Sequence, residues 1–245
     1  MEYEKIGKDL ENYCNKYRIP IEYVFKILED QKVVPMIRGK ATEYSAYLLI
    51  KEALNDSEWS VQKLNLNAQS NQDDEDISVT HLRTGIIIKI ECKNATRGSF
   101  KSGKGCRKAK EPHCTIKCHK SRSNIKLVGT TNDRYPVNTF DIVMTNLSNS
   151  IIANATYSED FELLPNDTVI KLLCDYYGVS NTFEDIFGVM YNDWRFAKST
   201  DLAENEFIPR TPILRLNGND SWKKISELEN TLLEIVREKI RKKKR

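Results

Sequence analysis

No stretch of this chain approaches the roughly 18 consecutive apolar residues that a membrane span requires, and the N-terminus, MEYEKIGKDLENYCNKYR, carries no apolar signal core. A membrane protein is thereby argued against, and a cytoplasmic one is expected. The six cysteines, Cys14, Cys92, Cys106, Cys114, Cys118 and Cys174, include no CxxC pair. Without a secretion signal they read as free thiols rather than three disulfides. A large excess of charge of one sign is lacking as well. The net charge of +3 is too small to mark a nucleic-acid binder by itself. No internal repeat is evident.

What is present is ordinary in bulk and uneven in detail. An apolar fraction of 40% and a charged fraction of 30% suit a folded globular protein. The 245 residues fit one large domain or a main domain with a small appendage. Residues 73–76 read Asp-Asp-Glu-Asp, whereas Lys93 to Lys126 holds eleven Lys or Arg against one acid, Glu111. An acidic cluster therefore precedes a basic one.

Residues 1–35 read as two helical pieces, EKIGKDLENYCNKY and PIEYVFKILED, parted at Arg18-Ile19-Pro20 and closed by Pro35. We expect a small N-terminal helical lobe over 1–36 and a main domain over 37–245 with C-terminal elaborations. From Thr42, a candidate N-cap, Ala46, Tyr47, Ile50, Ala53 and Leu54 recur at helical spacing. Glu43 falls on that inward stripe, where an acid is unusual. Trp59–Leu64 and Asp76–Leu82 alternate as strands, and Asn65–Glu75 is polar and loop-like. Arg83-Thr84-Gly85 is a hairpin turn into Ile86–Lys93, the strongest strand in the sequence. Further strands are expected at His113–Lys120, Phe140–Thr145 and around Trp194-Arg195-Phe196, an extended run at Ile208–Thr211-Pro212, and helices over Asp167–Tyr177 and Trp222 to about Ile240. This gives an α/β fold with a mixed central β-sheet flanked by helices.

The acids carry the chemistry. Hydrolysis of a phosphodiester at neutral pH calls for a hard divalent cation held by carboxylate oxygens. Residues two apart on a strand share a face, so Glu91 and Lys93 project together while Ile88, Ile90 and Cys92 face the core. Folding the hairpin about Arg83–Gly85 pairs positions whose numbers sum to about 168, which sets Asp76 near Cys92 and beside Glu91.

Asp76, followed fifteen residues later by Glu91-Cys92-Lys93 and preceded by an inward Glu43 on a helix, resembles the PD-(D/E)xK nuclease superfamily over roughly residues 38–145. The resemblance implies a restriction-endonuclease-like core and an Mg2+-dependent endonuclease, with Mn2+ as a substitute ion. It implies Asp76 and Glu91 as metal ligands, Glu43 as an auxiliary acid and ligand, and Lys93 as the group that orients or activates water. The chain departs from the family at Glu75, where the pattern has Pro, and this leaves Asp73 and Asp74 as rivals to Asp76. The competing reading makes Glu91 and Lys93 a solvated strand end.

The basic run supplies a partner. Arg97, Lys101, Lys104, Arg107, Lys108 and Lys110 lie in a Gly-rich segment suited to phosphate contacts. His113, Thr115, Lys117 and His119 should share a polar face, with Lys120 and Arg122 beyond, and Arg195 and Arg210 are candidates to read guanine edges. The expected substrate is double-stranded DNA cut at a specific sequence by a homodimer, as in type II restriction enzymes, since cutting both strands needs two active sites. A structure-specific nuclease or resolvase, and a non-catalytic DNA-binding module of the same fold, are the alternatives. Zinc on Cys106, His113, Cys114, Cys118 and His119 is disfavoured by the spacing, and His81 and Asp141 are given no role in the site.

Overall fold

The computed structural model describes residues 2–64, 75–103, 110–119, 133–154, 162–163, 167–180, 182–218 and 221–244. Lys104, Cys106, Arg107, Lys108, Lys120, Arg122, Asp73 and Asp74 thus lie outside the described residues. The chain divides into two compact units, Met1–Ala41 and Thr42–Arg245.

The first unit holds helix α1 (Glu2–Tyr17), a 3-10 turn at Ile21–Tyr23, α2 (Val24–Leu28) and the start of α3 (Val34–Ala53). Arg18, at φ +57°, closes α1, and the Ile19 amide donates to the Cys14 carbonyl at 2.9 Å. Pro35 does not end a helix as expected. It sits in the first turn of α3, where its missing N–H has no partner to lose and its φ already suits a helix. Thr42 is accordingly interior to α3 and not an N-cap.

The second unit is α/β, built on a mixed six-stranded sheet. Strands β1 (Trp59–Lys63), β2 (Ile77–His81) and β3 (Ile86–Cys92) form an antiparallel meander. The next neighbour, β5 (Ile142–Asn146), runs parallel to β3, and β8 (Trp194–Lys198) and the short β10 (Lys223–Lys224) complete the sheet antiparallel. Two pairs stand apart, β4 (His113–Thr115) with β9 (Ile213–Arg215) and β6 (Ala153–Asn154) with β7 (Glu162–Leu163).

Both faces of the sheet carry packed cores, so β5 and most of β8 are buried. On one face Ile77, Val79, Ile88, Ile90, Ile142, Met144 and Phe196 meet Ala46 and Ile50 of α3 and Leu228, Leu232 and Val236 of α7 (Leu228–Lys243). On the other, Val143 and Ala197 join a core with Leu173 of α4 (Asp167–Tyr177), Ile186 and Met190 of α5 (Phe183–Asn192), and Cys114, Ile116 and Leu214 of the β4–β9 pair. Along β5 and β8 successive residues alternate between the two cores, as a period of two requires. A single turn, α6 (Ser199–Leu202), follows β8.

The β2–β3 hairpin positions the site, and its turn is one residue longer than expected. Leu82, Arg83, Thr84 and Gly85 form the loop, Gly85 at φ +64°, with the Gly85 amide donating to the His81 carbonyl at 2.9 Å. His81 therefore pairs with Ile86, and positions sum to 167. Extended by one step, that register sets Asp76 abreast of Glu91 rather than of Cys92. One residue of slip matters, because it exchanges the faces of a strand. His81 is buried at the turn, its Nδ1 2.8 Å from Thr84 Oγ1 and its ring beside Trp59, so it is part of the hairpin's structure rather than an exposed histidine.

Candidate active site

Two ion pairs, Glu43 with Lys63 and Glu91 with Lys93, stand by Asp76 where β2 begins and β3 ends. Asp76 precedes β2 and is tied to it from both sides. Its backbone carbonyl accepts from the Leu64 amide, and its Oδ2 accepts from the Cys92 amide, at 2.9 and 2.8 Å. Glu91, 5% exposed, closes β3, and the Lys93 ammonium donates to its Oε1. From α3, Glu43 Oε2 accepts from Lys63 Nζ at 2.8 Å, and Lys63 also donates to the Leu64 carbonyl at 2.9 Å. Glu43 is thus brought to the corner by the helix and Lys63 by the end of β1. The hydroxyl of Thr42 donates to Asn94 Oδ1 at 2.6 Å, fastening α3 to the residue that follows Lys93.

Solvent exclusion sharpens the electrostatics. Burial and, next, the charge of Glu43 push the Asp76 carboxyl up to about 6, against the pull of Lys93, the Cys92 amide and Lys63. Asp76 thus feels Glu43 as a like charge. Burial by itself would lower the Lys93 ammonium. The Glu91 carboxylate, with Tyr135 and Asp76, more than reverses this, so Lys93 stays cationic. Its Nζ lies 5.4 Å from the centre of the Tyr135 ring, and burial raises the Tyr135 hydroxyl. Cys92 and Cys118 are held as thiols by burial, Cys118 pushed up to about 12, and both belong to the packed cores.

All four expected residues, Glu43, Asp76, Glu91 and Lys93, lie in this corner. Lys63 and Tyr135 were not anticipated. Lys63 has a sequence signal, a charged residue on a strand face whose other members, Trp59 and Val61, are apolar; Tyr135 has none, because it arrives from a distant segment. Among the described residues no group of three or more His, Cys, Asp or Glu side chains is gathered as a metal cluster. The described cysteines and histidines of the basic segment likewise form no such cluster. Cys114 and Cys118 are buried free thiols, and His113 is buried with Nδ1 2.8 Å from the Glu111 carbonyl.

The expected DNA-contacting residues divide. Lys101 and Lys117 are exposed, and His119 is half-buried. Arg97 is half-buried, with its Nε and Nη1 atoms out of contact with solvent. Arg210 is exposed and paired with Asp133 at 2.8 Å. Arg195 is a correction. It is 2% exposed and clamped by Asp193, Nε to Oδ1 at 2.5 Å and Nη2 to Oδ2 at 2.8 Å, so its guanidinium is a core cation that cannot reach a base edge. Asp141 pairs with Lys239 at 2.6 Å and accepts from the Lys89 amide at 2.8 Å, away from the site chemistry. The expected strand at His113–Lys120 is ordered as a ladder only over His113–Thr115, with a single bridge at Ile116. Its alternation holds only from Cys114 onward, Cys114, Ile116 and Cys118 being buried and Lys117 exposed, because His113, expected on the polar face, is buried as well. No helix among the described residues is long and apolar enough to cross a membrane. Comparison with protein-family models, curated proteins and solved structures returned no match for this chain.

Proposed function

We propose that the protein is an Mg2+-dependent endonuclease of the PD-(D/E)xK type, with a restriction-endonuclease-like core, acting on double-stranded DNA. The observation that carries this reading is the convergence of Asp76, Glu91 and Lys93 at the mouth of one hairpin, with Glu43 delivered to the same corner by a helix.

The donor set suits a hard divalent cation. Its oxygens are all carboxylate, its three acids outnumber its two ammonium groups, and the Asp76 carboxyl is driven up by a neighbouring acid, a repulsion that a cation relieves. Mg2+ keeps much of its water and needs only one or two carboxylates, so a dedicated cluster of three is not required. Asp76 and Glu91 would hold the ion, with Glu43 as the auxiliary acid. When bound, it would supply charge neutralisation and a more acidic water. Lys93, being cationic, serves by orienting that water and offsetting charge on the phosphoryl oxygens, not as a base. Hydrolysis forms a bond from water oxygen to phosphorus, breaks one ester P–O bond, and delivers a proton to the leaving oxygen.

The test is incubation with methylation-free plasmid or phage DNA and Mg2+, alongside EDTA and Glu91→Ala controls. Discrete bands from the wild type alone are expected of a site-specific enzyme. Nicking or smearing would instead indicate a structure-specific or non-specific nuclease. Cutting both strands at one site further entails a homodimer, and light scattering that shows only monomers, with and without DNA, would sink that part. A second reading is favoured by one observation: the acids Glu43 and Glu91 are each neutralised by a lysine of the site, Lys63 and Lys93. A binding module that keeps the fold and does no chemistry would look the same, and it predicts DNA binding with intact DNA throughout.

A further inference from the structure

A cavity of about 660 Å3 adjoins the segments that frame the site, and Arg134, Arg210 and Arg215 line it together with Thr115 and Ser221. We propose that this cavity binds phosphate groups of the nucleic-acid strand running out of the active site. This inference rests on the nuclease reading for its choice of ligand, but it stands on separate residues.

Three connections join the cavity to the site. Arg134 directly precedes Tyr135, whose ring lies beneath the Lys93 ammonium. The Tyr135 carbonyl accepts from the Ile208 amide at 2.9 Å, which fixes the segment leading to Arg210. The Arg210 carbonyl in turn accepts from the Cys118 amide at 2.8 Å, and Cys118 lies close enough to Lys93 and Glu91 for both charges to act on its thiol. A polyanion seated at Glu91 and Lys93 therefore has this cavity as its neighbour.

The lining suits phosphate in particular. A guanidinium presents forked N–H donors that match phosphate oxygens. The wall is built in advance, as ligand sites commonly are: Trp222 is buried and donates from Nε1 to the Ile213 carbonyl at 3.0 Å, and the Ser221 hydroxyl donates to the Asp201 carbonyl at 2.8 Å. Two acids, Asp201 and Glu204, also border the cavity, and Asp133 holds Arg210 at 2.8 Å. These three acids match the three guanidiniums in number, so the preference for phosphate rests on the forked donor geometry and not on an excess of charge. Such a site favours an extended, distributed anion over a compact highly charged one.

The experiment measures anisotropy of a labelled short duplex with the full chain in EDTA, over a series of salt concentrations. It compares wild type with Arg134→Gln/Arg210→Gln, both exposed positions, and separately with Arg215→Gln, each confirmed as folded by its melting temperature. The double substitution is expected to raise Kd about tenfold and to lower the slope of log K against log salt by about two. Wild-type Kd and slope in both variants would overturn the proposal, as would absence of duplex binding by the wild type at low salt. A mononucleotide arm separates the sources of phosphate: if it raises the wild-type melting temperature through these arginines while duplex binding ignores them, the cavity serves a soluble ligand and the proposal fails. Cleavage with Mg2+ judges the nuclease reading separately. Cleavage with unaltered binding in the variants sinks only the cavity; altered binding without any cleavage sinks only the nuclease.

Discussion

Two buried clusters of charge in the second unit invite comparison. At the foot of β8, Arg195 meets Asp193 through two hydrogen bonds, and the Tyr177 hydroxyl donates to the same carboxylate at 2.8 Å. Burial alone would depress the Arg195 guanidinium, and the bonds from Asp193 more than reverse that. Burial raises the Tyr177 hydroxyl, and Asp193 adds to it. Every charge there has its complement. At the mouth of the β2–β3 hairpin three acids share two lysines, and the cost falls on Asp76, whose carboxyl is pushed up to about 6. Perturbed groups occur in both places, so perturbation by itself does not mark a site. What separates them is the direction for the charged group: the first cluster holds Arg195 ionised, whereas the second penalises ionised Asp76 and so retains free energy for a ligand to release.

The sharpest break between the two is expected in activity. Glu91→Ala should lower Mg2+-dependent cleavage on the order of a thousandfold or more, since it removes a group proposed to act only with its partners. Asp193→Ala should leave cleavage per folded molecule near the wild-type value. Initial rates normalised to folded protein decide this, and equal losses from both substitutions would erase the distinction.

In stability the order reverses. Asp193→Ala strands a buried guanidinium and should cost about 3–5 kcal/mol in denaturant unfolding. Asp76→Asn should do the opposite in EDTA. The folded carboxyl, at about 6, holds its proton more tightly than the unfolded one at 3.8, so ionised Asp76 lowers stability above pH 6 and the penalty fades as pH falls toward 4. The substitution is therefore expected to stabilise by at most about 3 kcal/mol at pH 8 and to make no difference near pH 4. Unfolding curves at the two pH values check it, and a less stable variant at pH 8 would contradict the repulsion argument.

The same contrast governs what could be read before the structure. Glu43, Asp76, Glu91 and Lys93 were legible because an Ile-rich strand, a glycine turn and an amphipathic helix are local patterns. The loop length was not, since a three-residue and a four-residue turn both suit Arg83-Thr84-Gly85, and closure at His81–Ile86 is decided by pairing along the whole hairpin. Helix α5 went unread although Thr182 caps it by accepting from the Asp185 amide, a Thr-x-x-Asp signal overshadowed by Gly188 in its middle. Arg195 is expected at a base edge but is held by Asp193, the residue that ends α5 two positions earlier. A side chain two residues away shares its strand face, yet nothing local says that both are buried. Tyr135 and the arginine-lined cavity depend on chain crossings that no short window contains.

The smallest expected effect concerns how the penalised cluster is held together. Thr42 donates to Asn94 at 2.6 Å, so a neutral hydrogen bond joins the helix that carries Glu43 to the strand end that carries Lys93. Thr42→Val keeps the volume at this buried helix position but leaves Asn94 Oδ1 without that donor, a loss of about 1 kcal/mol in unfolding free energy. If the bond also fixes Lys93 relative to Glu43, single-turnover cleavage should fall a few-fold while duplex affinity holds, because misplacement of a catalytic group weakens the transition state more than the ground state. A variant that loses stability but cleaves at the wild-type single-turnover rate would confine Thr42 to the fold. The corner would then be set by the hairpin alone, with Glu43 carried to it by helix packing at Ala46 and Ile50.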